Sequence, residues 1–201
     1  MALRSPNKIV CVAENYSRDG QSSGMSPLVF IKANNAFNPS NHEVKIDIGL
    51  RTWGEPELAI VIGKPVYRVA QDAASQYIAG YTLANDVTCD DPDGRDHHLA
   101  RSKSADGFCP ILPFYDDCFQ PDEQKITAFH NGELLRSAVL SDMIWNPAKI
   151  VSELSQWMTL EAGDIVLTGA PPRVRDRLFI QPGDIYRCEI EHLGSLETVF
   201  K

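Results

Sequence analysis

Two glutamates, Glu55 and Glu57, stand two residues apart immediately before the apolar run 58–62. Residues i and i+2 of an extended strand point to the same face. Two adjacent carboxylates repel each other and are costly to bury, and a bound divalent cation would remove both costs. Asp86 follows the apolar run 78–84 and would supply a third oxygen. This set of ligands suits Mg²⁺ or Mn²⁺ better than Zn²⁺.

A second interpretation of the same two glutamates requires no metal. Glu55 and Glu57 would lie on the solvated side of a strand at the edge of a sheet, where Pro56 would also be tolerated. Spacing alone leaves both interpretations open.

Two further patterns resemble functional motifs but do not meet their structural requirements. The segment 20–24 matches the G-x-S-x-G nucleophile pattern, yet a loop precedes it and Pro27 follows, so we do not expect a nucleophilic Ser22. The loop 90–101 contains four Asp and two His, but the spacing of its Asp residues does not place a glycine and a terminal glutamate where a calcium loop needs them. We expect a solvated loop there.

The elements that must position these residues are mostly short strands. Asn131-Gly132 predicts a hairpin after 125–130, and Asn146-Pro147 predicts a helix start. That helix would pack one apolar face, formed by Ile150, Val151, Leu154, Trp157 and Met158. A second helix is predicted over 69–78, ended by Gly80, and strands over 8–13, 28–32, 58–62, 165–168 and 185–190. We predict an α+β, β-rich roll or barrel with a few flanking helices, in one domain over 1–201.

Composition and charge limit the classes of partner. With 43% hydrophobic and 23% charged residues, the chain has an ordinary globular balance, and its net charge of −8 argues against nucleic acid and anionic membranes. No apolar run approaches the span of a bilayer, and the first residues lack a signal-peptide core. The five cysteines contain no C-x-x-C pair, so we expect free thiols and a cytoplasmic protein.

The order of several segments resembles the fumarylacetoacetate hydrolase superfamily over nearly the whole chain. The amino-acid sequence of segments 83–86 and 103–110 is most similar to the decarboxylase/isomerase branch of the homoprotocatechuate pathway of aromatic catabolism. The segments that carry the resemblance are 8–16, 27–32, 55–64, 78–88, 100–110, 131–133 and 159–171.

The resemblance implies a mixed β-roll, a homodimer and a Mg²⁺ or Mn²⁺ ion. The family's metal carboxylates fall on Glu55, Glu57 and Asp86, the residues that spacing had already indicated. Its active-site lysine falls on Lys103, which would hold a carboxylate or a developing oxyanion, the alternative being an ordinary surface lysine. Tyr16, Thr168 and Gly169 would contact a small anionic 2-oxo acid substrate.

One departure from the family pattern lies in the polar loop 14–26, where hydrolytic members form a lid. Their water-activating His and Glu correspond here to Asp19 and Ser22, and a solvated Asp19 would be a weak catalytic base. The following acidic loop also departs, with Asp90 and Asp93 where Arg and Gln are common.

These features rank three functions. We predict decarboxylation or keto–enol isomerisation of small 2-oxo or 2-hydroxy-dienoic diacids, as by a 2-hydroxyhepta-2,4-diene-1,7-dioate isomerase or decarboxylase. The first alternative is an acylpyruvate or fumarylacetoacetate-type C–C hydrolase, which would also need a positioned base for water. The second is a catalytically impaired member that serves as a binding or partner subunit.

Overall fold

A computed structural model of the chain describes residues 1–16, 28–39, 43–46 and 49–201. The motif at 20–24, together with Asp19 and Ser22, therefore lies outside the described residues. The strands are β1 Ile9–Ala13, β2 Leu28–Lys32, β3 Phe37–Asn38, β4 Glu43–Val44, β5 Thr52–Trp53, β6 Pro56–Ile62, β7 Ile78–Asn85, β8 Thr88–Cys89, β9 Cys109–Pro110, β10 Lys125–His130, β11 Glu133–Val139, β12 Ile165–Leu167, β13 Ile185–Ile190 and β14 Gly194–Phe200. The α-helices are α1 Gln71–Ala74, α2 Ala100–Lys103 and α3 Pro147–Ser155, and short 3-10 turns occupy Asn34–Ala36, Ser75–Tyr77 and Leu140–Asp142.

The first sheet has the order β2-β1-β12-β6-β7, with β1 and β12 parallel and the other neighbours antiparallel. Strand β6 pairs on both sides, and all seven of its residues are buried. The edge-strand interpretation of Glu57 is therefore wrong. Pro56 is tolerated because it is the first residue of the strand.

The second sheet has the order β11-β10-β13-β14-β4, with a parallel pairing only between β14 and β4. Strands β10 and β11 form the predicted hairpin, and Asn131 and Gly132 have the positive φ values, 49° and 84°, that a tight hairpin turn requires. The β-rich α+β prediction is confirmed. Over the described residues the strands form separate sheets rather than a closed barrel.

Alternate residues of the first sheet face two different cores. Ile9 and Cys11 of β1 belong to the core shared with the second sheet, whereas Val10 packs on the other side with Ile150 and Leu154 of α3. Because both faces of the sheet are covered at its central strands β1, β12 and β6, these strands are mostly apolar without alternation.

Both helix predictions need correction at their ends. The segment predicted over 69–78 contains only α1 and a 3-10 turn, and Gly80 lies inside β7 with φ +156° rather than ending a helix. A Cβ atom at Gly80 would lie 2.4 Å from the carbonyl oxygen of Asp116, so the packing of β7 requires glycine there. Helix α3 ends before Trp157, which is 61% exposed and lies outside the packed face.

The cysteine prediction is confirmed, since all five thiols are free. None of the helices in the described part of the chain combines the length and apolarity needed to span a membrane.

Candidate active site

Antiparallel pairing of β6 and β7 brings three distant carboxylates together. Glu57 lies in β6 opposite Ala84 of β7, so the start of one strand meets the end of the other. Glu55 immediately precedes β6 and Asp86 immediately follows β7, and the Asp86 N–H donates to the Glu55 carbonyl oxygen at 2.8 Å. We refer to Glu55, Glu57 and Asp86 as the carboxylate cluster.

Hydrogen bonds that lead to residues of the second sheet hold the backbone around Glu55 in place. Its N–H donates to Asn85 Oδ1 at 3.0 Å, and the Asn85 amide in turn donates to Thr198 Oγ1 at 3.1 Å. The Tyr186 hydroxyl donates to the Gly54 carbonyl oxygen at 2.8 Å. Gly54 cannot carry a side chain, because a Cβ atom there would lie 2.7 Å from the Tyr186 ring.

Lys103, at the end of α2, lies between two members of the carboxylate cluster. Its Nζ donates to Asp86 Oδ2 at 2.5 Å and to Glu55 Oε2 at 3.0 Å. Burial alone would lower the pKa of Lys103, but Asp86 and Glu55 raise it above its ordinary value and keep the ammonium charged. The residue is only 7% exposed, so the surface-lysine alternative is wrong.

Two more cations at the cluster were missed by sequence analysis. Lys32 is fully buried, and its Nζ donates to Asp86 Oδ1 at 2.5 Å and to the Val87 carbonyl oxygen at 3.1 Å. Arg136 of β11 donates from Nη2 to Glu55 Oε1 at 2.7 Å. The sequence did contain a signal for them, since each is a charged residue inside or at the end of an apolar strand. Such a residue is costly to bury without a partner of opposite charge.

The three carboxylates have different proton affinities. Burial alone would raise the pKa of Glu55, but Lys103 and Arg136 lower it to about 2. For Glu57, burial and the neighbouring charge of Asp86 raise the pKa well above its ordinary value. Glu57 Oε2 accepts the Gly169 N–H at 2.6 Å, so a backbone dipole rather than a direct ion pair faces it.

The donor set fits an oxygen-preferring divalent cation, although the oxygens of the cluster are not gathered tightly. In the described part of the chain, only Asp116, Asp117 and Cys118, at the surface, place three potential metal-ligand atoms, two oxygens and a sulfur, within 4.8 Å of one another. In the carboxylate cluster, Lys103 bridges Glu55 and Asp86 instead. The negative charge of buried Glu57 is the least compensated, and a divalent cation beside it would lower that cost.

The predicted substrate-contacting residues lie next to Glu57. Tyr16 is 8% exposed, and its buried hydroxyl has no hydrogen-bond partner among the described residues. Thr168 Oγ1 donates to the Leu58 carbonyl oxygen at 3.0 Å, so this hydroxyl is already engaged with the backbone. Gly169 has φ +99°, and a Cβ atom there would lie 2.9 Å from the Val12 carbonyl oxygen. Their contact with substrate stays a prediction.

The acidic loop does not add ligands to the cluster. Asp90 pairs with Arg51, with Oδ2 2.7 Å from Nε, and His97 and His98 are exposed. The solvated-loop prediction agrees with this exposure.

Comparison with known proteins gives the family. The sequence profile described as Fumarylacetoacetate (FAA) hydrolase C-terminal matches residues 8–201. The chain belongs to the fumarylacetoacetate hydrolase family.

Three family members illustrate which proteins this chain is similar to. An uncharacterized protein of Methanocaldococcus jannaschii is 37% identical over 202 residues, which cover 98% of this chain and 84% of that protein. Oxaloacetate tautomerase YisK of Bacillus subtilis is 33% identical over 212 residues, covering 98% of this chain and 70% of the relative. The crystal structure of 5-carboxymethyl-2-hydroxymuconate delta-isomerase from Mycobacterium smegmatis superposes with a TM-score of 0.91 at 30% identity, covering 99% of this chain and 78% of that one.

Proposed function

We propose that this chain catalyses the keto–enol tautomerisation of a small 2-oxo dicarboxylic acid of the oxaloacetate class, with Mg²⁺ or Mn²⁺ as cofactor. The observation that carries the proposal is the buried Lys103 ammonium, which lies within hydrogen-bond distance of both Glu55 and Asp86. The similarity to an oxaloacetate tautomerase and to a hydroxymuconate isomerase supports this reaction class.

Tautomerisation moves a proton between C3 and the oxygen at C2 and passes through an enolate. Lys103 would donate a hydrogen bond to that oxygen, because its neighbours Asp86 and Glu55 hold the ammonium in its charged form. Glu55, Glu57 and Asp86 would hold the divalent cation. When bound, the cation would act as a Lewis acid that favours the enolate.

The charge balance of the cluster favours an anionic ligand. Lys32, Lys103 and Arg136 match its three carboxylates, so a divalent cation would leave the site positive. A doubly charged 2-oxo diacid would then offset that positive charge. An uncharged substrate would leave the buried positive charge without a partner.

A turnover assay tests the proposal. The protein with Mn²⁺ is given oxaloacetate and, separately, an acylpyruvate, and both enol absorbance and C–C cleavage are followed against protein-free Mn²⁺ controls. We expect tautomerisation of oxaloacetate well above the control. We also expect acylpyruvate cleavage to be slower than in a hydrolase by about 10²–10⁴-fold, the usual contribution of a general base.

Two outcomes contradict the proposal. Fast acylpyruvate cleavage without oxaloacetate tautomerisation would identify a hydrolase. Binding of Mn²⁺ and oxaloacetate without turnover of either substrate would identify a binding protein.

A further inference from the structure

Three arginines adjoin the carboxylate cluster on one side, and we call Arg136, Arg173 and Arg177 the arginine group. Arg136 contacts the cluster directly through Glu55, at 2.7 Å. Arg173 stands opposite Arg136 in an isolated antiparallel bridge. Residues directly opposite each other in such a pair project to the same face, about 4.5–5.5 Å apart at Cβ. The bridge therefore places the two side chains side by side.

Arg177 completes the group from the loop that follows. Its guanidinium lies over the Trp53 ring, 4.0 Å from the ring centroid, and Trp53 is two residues before Glu55. Burial, followed by the positive charges of Arg173 and Arg136, holds the pKa of Arg177 below its ordinary value. The guanidinium groups are thus close enough to repel one another.

These cations outnumber their protein partners. Glu55 is shared by Arg136 and Lys103, and in the described chain neither Arg173 nor Arg177 forms an ion pair. The Nε atoms of Arg136 and Arg177 are buried and have no hydrogen-bond acceptor among the described residues. Buried donors without acceptors are costly, and an anion that accepts from them would remove the cost.

Arg173 is exposed, whereas Arg177 is only partly exposed and its Nε atom is buried. Arg175, between Arg173 and Arg177 in sequence, does form an ion pair, with Glu133. Within this loop, the unpaired arginines are therefore the two that belong to the group beside the site.

We propose that Arg173 and Arg177, supported by Arg136, bind the second carboxylate of the diacid substrate while its 2-oxo acid end lies at the carboxylate cluster. The inference rests on the proposed function and adds the basis of its selectivity. A planar guanidinium matches a carboxylate through two parallel hydrogen bonds. A monoacid would leave Arg173 and the buried Nε of Arg177 without an acceptor, and a site built to hydrogen-bond a substrate group rejects an analogue that lacks it.

Two substrates that differ only at the distal end test this subsite. Oxaloacetate carries a carboxylate where 2-oxobutyrate carries a methyl group, and both have exchangeable hydrogens at C3. Exchange at C3 in deuterated water is followed by NMR with Mg²⁺, which is diamagnetic, and protein-free rates are subtracted. The proteins compared are the unmodified chain, Arg177→Gln, Arg173→Gln and the matched control Arg175→Gln.

We expect the unmodified chain to prefer oxaloacetate at least tenfold in kcat/KM. Arg177→Gln and Arg173→Gln should each raise KM for oxaloacetate about tenfold to a hundredfold, the loss expected for a charge-assisted hydrogen bond, with kcat within about twofold. Exchange of 2-oxobutyrate should stay unchanged in both, which also shows that the variants fold. Arg175→Gln should behave as the unmodified chain, and Arg177→Lys should recover part of the loss.

The contrary results separate the two proposals. Equal exchange of both substrates by the unmodified chain, or equal losses on both substrates in Arg177→Gln, would overturn the subsite while the tautomerase activity stands. Exchange of neither substrate by the unmodified chain would overturn the proposed function and the subsite with it.

Discussion

At the scale of single residues, the site is defined by opposite charges buried in contact. Lys32 and Lys103 both donate to Asp86, one to each carboxylate oxygen. Burying an ion costs several kcal/mol, and close partners are what offset that cost. Removing either partner would leave an uncompensated charge, so these contacts link the stability of the site to its chemistry.

Lys103→Met would separate the proposed catalytic function of this lysine from metal binding. We expect kcat for oxaloacetate tautomerisation to fall by about 10²–10³-fold, the cost of removing a hydrogen-bond donor to an oxyanion. The rise in melting temperature on adding Mn²⁺ should persist, because Lys103 is not a ligand and its loss removes a repelling charge. Turnover and melting are measured side by side, with exposed Lys125→Met as the control. Unchanged turnover in Lys103→Met would show that this lysine does not take part in the reaction.

At the scale of elements, strand ends and turns position the functional groups. The turn before β13 illustrates how one carboxylate secures such a junction. Asp184 accepts the Asn131 side chain and the Gln181 N–H, each at 2.8 Å, and lies 2.8 Å from His130 Nε2. It thereby joins the hairpin turn of β10 and β11 to the start of β13.

Asp184 makes this junction sensitive to acid. Burial alone would raise its pKa, but the bonds from Asn131 and Gln181 lower it below the ordinary value. The folded state therefore binds the Asp184 proton less tightly than the unfolded state does. The stabilisation is complete above the unfolded pKa of about 3.9 and is lost as the pH falls through the lower folded value.

Asp184→Asn should accordingly lower the melting temperature at neutral pH. In acid, the difference in melting temperature between this variant and the unmodified chain should become smaller. The loss is expected to be about 1–3 kcal/mol, the contribution of hydrogen bonds to an ionised carboxylate, and to shrink below about pH 4. Melting is recorded from pH 7 downward, with exposed Asp93→Asn as the control. A destabilisation that stays constant into strong acid would contradict an ionised Asp184.

At the scale of the whole molecule, two sheets enclose a site that contains three carboxylates. Divalent cations bind native carboxylate clusters better than unfolded chains, so they stabilise the native state by mass action. The homodimer implied by the family resemblance stays a prediction that the molecular mass in solution would test.

Mn²⁺ or Mg²⁺ should therefore raise the melting temperature relative to EDTA. At a hundredfold excess over the dissociation constant the gain is about 2.7 kcal/mol, or about 5–10 °C for a chain of this size. Glu57→Gln should remove most of that shift, while Glu153→Gln, at an exposed position on α3, should retain it. Equal melting temperatures in EDTA and Mn²⁺ for the unmodified chain would count against the metal site.

The sequence alone determined much of the local structure. Apolar runs predicted β1, β2 and β13, Asn131-Gly132 predicted the hairpin, and Asn146-Pro147 predicted the start of α3, because each depends on neighbouring residues only. The interpretation of Gly80 as the end of a helix was wrong, because its close approach to Asp116 is a long-range contact.

Only the tertiary structure decided which charges meet. Spacing indicated Glu55, Glu57 and Asp86, but not Lys32 or Arg136, since their partners lie 54 and 81 residues away. The arginine group depends likewise on a bridge between β11 and a distant loop. A local pattern records which side chains are charged, whereas the register of the sheets sets which of them share a buried site.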